Sequence, residues 1–125
     1  MINEDYVSFE VAKLLKEKGF DEPVMHHFTP DGTQRKFQQA FYRDDVAQPT
    51  LQMAMKWLRK NHSIFIATEF GWFHGDYEYQ ASVVKMNPTI PPTLDSIEYI
   101  KAFRNKSYEI ACESSIKYCL TNLIK

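Results

Sequence analysis

The chain has 125 residues, and since domains usually run to about 100 to 150 residues, we expect residues 1–125 to fold as one domain. Hydrophobic residues make up 44% of the composition and aromatic residues 14%, which can fill a core and excludes a disordered or fibrous class. Fifteen lysines and arginines against sixteen aspartates and glutamates give a net charge of -1. Because no global field then attracts the chain to nucleic acid or to an anionic membrane, any partner must be recognised locally.

The N-terminal residues are acidic and lack the basic and apolar segments of an export or import signal, so we expect a cytoplasmic protein. No apolar run approaches the roughly 18 residues of a membrane span. Cys112 and Cys119 lie in one predicted helix, about 10 Å apart at roughly 1.5 Å rise per residue. A disulfide cannot close that gap, and we predict two buried free thiols.

The first third of the chain predicts a helix and a hairpin. Ser8 is placed to cap the start of the helix and Gly19 to end it. Two extended stretches follow, at residues 24–29 and 36–43, separated by a Pro-Asp-Gly-Thr turn at residues 30–33. Proline fixes φ and glycine permits positive φ, so this turn favours a hairpin.

The middle of the chain predicts a second helix at residues 51–61, with Thr50 as its N-cap. Its inward stripe consists of apolar residues at helical spacing: Leu51, Ala54, Met55 and Leu58, with Trp57 beside them. Strands rich in β-branched and aromatic residues are predicted at 64–70 and 77–85. Residues 71–76 are expected to form the loop that joins them.

The last third contains three of the six prolines, at 88, 91 and 92, which indicate an extended connector because proline cannot continue a helix or a central strand. Apolar residues at 94, 97, 100 and 103 favour a short helix over a strand. A long amphipathic helix is predicted from about residue 107 to 124. The predicted class is therefore α+β, a mainly antiparallel four-stranded sheet with helices packed on one side, in the order α-β-β-α-β-β-(α)-α.

Residues 7–21, 49–59, 108–113 and 116–120 carry a resemblance that extends from near one end of the chain to near the other. They resemble a family of small uncharacterised proteins common in Bacteroidetes genomes and their phages. The resemblance implies a cytosolic origin and a mobile-element setting, and it assigns no functional residue. All these segments are helices with their caps, so the shared signal concerns fold rather than function.

The sequence contains few residues arranged for catalysis or metal binding. His26 and His27 are adjacent on a predicted strand, so they point to opposite faces and would need His62 or His74 to complete a metal site. No phosphate-binding glycine motif and no nucleophile motif occurs. We therefore predict no metal site, no cofactor and no catalytic residue, and an enzyme without a recognisable motif is the weakest of three alternatives.

A basic group on the second helix is the strongest indication of nucleic-acid binding. Lys56, Arg59 and Lys60 share one helix face, which could contact phosphates. The same pattern is typical of the ordinary solvent face of an amphipathic helix, and the net charge is close to zero. We keep nucleic-acid association as the alternative and do not expect it.

The remaining candidate site is the aromatic segment Trp72, Phe73 and His74, flanked by Gly71 and Gly75. Exposed aromatic rings in a loop would favour a protein-binding patch. The competing interpretation is that Trp72 and Phe73 extend the strand and fold back onto the core. We expect a small accessory or protein-binding module whose partner is an unknown protein or a second copy of the chain.

Overall fold

The computed structural model describes residues 1–35, 44–87, 92–93 and 96–125. Within these ranges the chain forms three α-helices and two three-stranded antiparallel sheets, so the predicted α+β class is confirmed and the single four-stranded sheet is wrong. The helices are α1 (Phe9–Glu17), α2 (Leu51–His62) and α3 (Tyr108–Tyr118), the last continued by a π-helical turn at Cys119–Leu123. None of the helices in the described ranges combines the length and apolar character that a membrane crossing requires.

The helices begin where the sequence predicts them. The hydroxyl groups of Ser8, Thr50 and Ser107 each accept a hydrogen bond from the backbone N–H three residues later, which satisfies a donor that the first helical turn leaves without a partner. Gly19 has a φ of 96° just beyond α1, as expected of a residue that ends a helix. The predicted apolar stripe of α2 is fully buried.

The small sheet consists of β1 (His27–Phe28), β2 (Gln34–Arg35) and β3 (Val46–Ala47), in the order β2-β1-β3. The predicted turn at residues 30–33 does join two antiparallel strands, whereas the whole of the strand predicted at 36–43 lies outside the described residues. β3 falls in a segment whose polar sequence did not indicate a strand. Its pairing with β1 is a tertiary contact that local sequence does not encode.

The large sheet consists of β4 (Ile64–Phe73), β5 (Asp76–Met86) and β6 (Ile97–Asn105), in the order β4-β5-β6. The helix predicted at 94–103 is wrong over the described part of that segment, which is β6. A β-bulge explains why the apolar spacing resembled that of a helix. The partners on either side of the bulge are Val83 with Lys101 and Val84 with Tyr99. Ile100 is the extra residue, and the bulge lets Ile100 and Phe103 both pack against the core although they are three positions apart.

The core lies between the helices and one face of the large sheet. α2 and α3 both contact the sheet and each other. The side chains with at most 2% of their surface exposed include Leu15, Leu51, Leu58, Ile64, Val83, Ile116 and Leu120. At the surface, Lys117 of α3 forms an ion pair with Glu10 of α1 at 2.7 Å, which links the first and last helices.

Candidate functional site

The β4–β5 hairpin closes with a two-residue turn. Phe73 pairs with Asp76, and the residues between them, His74 and Gly75, have φ angles of 49° and 88°. Positive φ at both central residues matches the type I′ turn that the twist of paired strands favours. The loop predicted at residues 71–76 is therefore wrong, and the competing interpretation that Trp72 and Phe73 extend the strand is confirmed. Trp72 does not fold back onto the core, because it is exposed.

An exposed row of aromatic side chains follows from this register. Phe70 pairs with Tyr79 across the hairpin and Trp72 pairs with Tyr77, so all four rings share one face of the sheet. We call these four residues the aromatic ladder. The exposed fractions are 59% for Phe70, 62% for Trp72 and 57% for Tyr77, while Tyr79 is half-buried. Ring centroids lie 4.9 Å apart for Phe70 and Tyr79 and 4.8 Å apart for Trp72 and Tyr77.

The ladder occupies the same sheet face as the core. Ala81 and Val83, which continue the alternation of β5 beyond Tyr79, are fully buried. The ring of Tyr79 contacts the ring of Tyr108 at 5.6 Å, and Tyr108 is the first residue of α3. The Gln52 side-chain amide on α2 donates a hydrogen bond of 2.7 Å to the Tyr108 hydroxyl. The ladder is therefore the part of the helix-facing sheet surface that extends past the start of α3.

The opposite face of the hairpin carries a hydrogen-bonded group of polar side chains. Gln80 accepts a 2.6 Å hydrogen bond from Arg104 and donates one of 3.2 Å to Glu69. The half-buried Phe73 lies on this face, with the Arg104 guanidinium 4.8 Å from its ring centroid, and a Cβ on Gly71 would lie 3.4 Å from the same ring. Of the predicted patch, Phe73 thus does not share a surface with Trp72, and His74 lies in the turn.

Two acidic groups lie close together near the start of α3, the helix whose first residue contacts the ladder. Burial and the nearby Glu109 carboxylate raise the pKa of Asp5. At the turn, Lys106 forms an ion pair with Asp76, and this hydrogen bond from Lys106 lowers the pKa of Asp76. The Lys106 ammonium group beside the turn is thereby engaged with a carboxylate.

The basic group predicted on α2 is exposed. Lys56 and Lys60 line a cavity of about 220 Å³ together with Glu22 and the buried Trp57, and Arg59 does not line it. The cavity is smaller than the roughly 300 to 1,000 Å³ of most small-molecule sites. The structure therefore brings Lys56 and Lys60 together beside the Glu22 carboxylate, without Arg59.

The paired histidines are core residues. His26 stacks on Tyr6 with ring centroids 4.2 Å apart. His27 lines a cavity of about 160 Å³ with Asp45 and Lys16, and burial lowers the pKa of His27. Across the described ranges, no three histidine, cysteine, aspartate or glutamate side chains come close enough to hold a metal ion.

The two cysteines are buried and free, as predicted. Burial raises the pKa of the Cys119 thiol to about 12 and raises that of Cys112 as well. Thiols with raised pKa values are poor nucleophiles at neutral pH. Both therefore serve as apolar filling of α3 and its π-helical continuation.

Sequence reasoning missed Phe70, Tyr77 and Tyr79 as members of the site. The signal was present, since the aromatic residues at 70 and 72 lie as far before the turn as those at 79 and 77 lie after it. A His-Gly dipeptide at the midpoint of such a symmetric pattern indicates a two-residue turn. Treating residues 71–76 as a loop concealed the register.

Comparisons with protein-family models, with curated proteins and with solved structures found no match for this chain. The ladder must therefore be interpreted from its own geometry and surroundings.

Proposed function

We propose that this chain is a small cytoplasmic protein-binding module whose working surface is the aromatic ladder. The observation that carries the proposal is the exposure of three large aromatic side chains on one rigid, paired face: Phe70, Trp72 and Tyr77 are each more than half exposed. Contiguous exposed apolar surface of this kind marks interaction sites in soluble proteins. Trp and Tyr in particular supply large contact areas at small cost in side-chain entropy.

The ladder lies on paired strands, and this position supports a role in binding a partner. The hairpin register holds the rings of Phe70, Trp72, Tyr77 and Tyr79 in contact with one another. Their arrangement in the free chain is therefore already defined, and a partner would not need to order a loop. Preorganisation of this kind reduces the entropic cost of binding.

Charge favours a protein partner over a nucleic acid. Aromatic rings on strands can also stack on the bases of single-stranded nucleic acid, but such sites combine the rings with a basic groove. Here Arg104 lies on the opposite face of the hairpin, and Lys106 is paired with Asp76. Asp5 and Glu109, near the start of α3, add negative rather than positive charge to this part of the chain.

The resemblance seen in the helical segments gives a setting for this function. It favours an accessory protein of Bacteroidetes or their phages, acting in the cytoplasm. Binding proteins of that kind need no catalytic group, which fits a site made of aromatic side chains.

Affinity columns carrying the wild-type chain, Trp72→Ala or Tyr99→Ala would test the proposal. Tyr99 is an aromatic residue of β6, 78% exposed, and it faces away from the helices, so it is a matched control. We expect proteins from a native lysate to be retained by the wild-type and Tyr99→Ala columns. The Trp72→Ala column should retain at least about tenfold less, because losing an interface anchor costs about 2 kcal/mol or more. Equal retention by all three columns would contradict the proposal.

A further inference from the structure

β4 is an edge strand of the large sheet. It pairs with β5 on one side, and in the described part of the chain its other side carries no strand. Four consecutive residues of β4, residues 67–70, are exposed. An edge of this kind presents backbone N–H and C=O groups that can pair with another strand.

The two edges of the sheet differ in how they resist such pairing. β6 carries the bulge at Ile100 and the charged residues Glu98, Lys101 and Arg104, and bulges and charges are the usual protection of an edge. β4 has ten residues and a single charge, Glu69. The carboxylate of Glu69 already accepts a hydrogen bond from Gln80 of its own sheet. Among the residues that the structure describes, β4 is therefore the less protected edge.

We propose that a second copy of this chain docks on β4 through its own β4, antiparallel and about a two-fold axis. The inference rests on the proposed function and names the partner of the same surface, since Phe70 and Trp72 belong to β4. A net charge of -1 gives the chain little electrostatic repulsion against its own copy. The six strands of the two copies would form one continuous sheet.

The sequence of β4 selects one register. A two-fold axis perpendicular to the sheet pairs each residue with a residue on the same face of the other copy. Because the faces alternate along a strand, the axis must then lie between the two copies of one residue. The middle of the ten-residue strand lies between Thr68 and Glu69, and an axis at either of these residues gives the longest overlap. An axis at Glu69 would oppose two carboxylates, which is unfavourable for directly facing residues. The axis at Thr68 avoids this repulsion.

That register also places apolar groups together. With Thr68 on the axis, Phe70 of one copy faces the half-buried Ile66 of the other. Glu69 faces the small side chain of Ala67. The pairing would place an apolar neighbour beside Phe70 in both copies while leaving the charged edge of β6 free.

A charged side chain at position 68, on the proposed two-fold axis, tests both the pairing of the two β4 strands and its register. Thr68→Lys or Thr68→Glu places like charges opposite each other in a homodimer, whereas a mixture of the two variants places opposite charges there. By sedimentation velocity over a concentration series, we expect the wild-type chain to dimerise. Each variant alone should have a dissociation constant raised about tenfold or more. An equimolar mixture should recover the dimer. Ala102→Lys, an exposed position of β6, should leave the dimer unchanged.

A second pair of variants covers the case in which changes at Thr68 impair folding. Ala67→Lys places an ammonium group opposite Glu69 of the other copy and should strengthen the dimer, whereas Ala67→Glu should weaken it. A wild-type chain that remains a monomer at all concentrations would overturn the inference. A dimer that is weakened by Ala102→Lys but not by the charged substitutions at Thr68 and Ala67 would also overturn it. Retention of other proteins that depends on Trp72, from a chain that stays monomeric, would leave the proposed function standing and remove this inference alone.

Discussion

Trp72 and Tyr77 face each other across the β4–β5 hairpin, with ring centroids 4.8 Å apart and ring planes at 81°. This edge-to-face contact is a favourable arrangement of two aromatic rings, yet each side chain keeps more than half of its surface in solvent. The other tryptophan of the chain behaves differently. Trp57 is 6% exposed and contacts Phe20 within the core. One tryptophan thus contributes to the fold, and the other is available to a partner.

The two faces of α2 should differ in their effect on stability. Leu58 is fully buried and Lys60 is exposed. We expect Leu58→Ala to lower the free energy of unfolding by about 2 to 5 kcal/mol, because it removes buried surface and leaves a cavity. Lys60→Ala should change it by less than about 0.5 kcal/mol. Denaturant titrations of both variants measure this difference, and similar losses would mean that the buried face of α2 is assigned wrongly.

The thiols of Cys112 and Cys119 should be protected in the folded chain. Both are buried, and burial raises the pKa of Cys119 to about 12. Because the thiolate is the reactive form, we expect slow reaction with an aromatic disulfide reagent at neutral pH. Reaction should become rapid in denaturant. Two fast thiols in the native protein would contradict their placement in the core.

His27 should make the fold sensitive to acid. Burial lowers its pKa below the usual value of 6.5, although the Asp45 carboxylate acts in the opposite direction and His26 and Arg35 act in the same direction as burial. A lowered pKa in the folded state means that the unfolded chain binds the proton more tightly. Stability is therefore undiminished above about pH 6.5 and decreases as the pH falls below that value toward the folded-state pKa.

His27→Gln removes this titration. We expect the free energy of unfolding to decrease more for the wild-type chain than for His27→Gln between about pH 7.5 and about pH 5.5. The variant differs in absolute stability as well, so the pH dependence is the quantity to compare. Parallel pH profiles for the two proteins would show that His27 does not titrate differently on folding.

Nucleic acid should not bind the basic face of α2. If Lys56, Arg59 and Lys60 did contact phosphates, binding would weaken steeply with salt because condensed counterions are released. We expect no binding of single-stranded or duplex DNA at physiological salt, as measured by fluorescence anisotropy. Micromolar affinity that a triple alanine variant abolishes would make α2 the functional surface.

The helices were predictable because their signals are local. Ser8 and Thr50 cap α1 and α2 through their own side chains, and the apolar stripe of α2 is contained within its helix. Hydrophobic periodicity and capping need no information from distant parts of the chain. These features therefore agree with the structure almost residue by residue.

Strands β4 and β5 of the large sheet contain the strands predicted at 64–70 and 77–85, whereas β6 depended on a partner that the sequence does not display. Ile100 and Phe103 are spaced like residues of a helix face, and only the bulge opposite Val83 and Val84 makes that spacing suit a strand. The small sheet is a similar case, since β3 exists because it pairs with β1. Tertiary pairing overrides weak local preference in both places.

Trp72 is exposed, as the predicted patch requires, but its neighbours on that surface are not the predicted ones. A loop would have presented Trp72 and Phe73 together, whereas adjacent residues of a strand point to opposite faces. The position of the turn at His74 and Gly75 therefore decides which side chains form one surface. The exposure of the ladder side chains could not be derived from the sequence, because it depends on where α3 begins beside the sheet.

Both proposals depend on the claim that the ladder does not hold the fold together, and the stability of Trp72→Ala tests it most directly. The measurement is denaturant unfolding at a concentration where the wild-type chain is monomeric, with Trp57→Ala as the buried counterpart. We expect Trp57→Ala to cost about 3 to 5 kcal/mol. Trp72→Ala should cost about 1 kcal/mol or less, the contribution of a cross-strand pair. A loss of several kcal/mol on Trp72→Ala would show that this residue is structural and would contradict the assignment of the ladder as a binding surface.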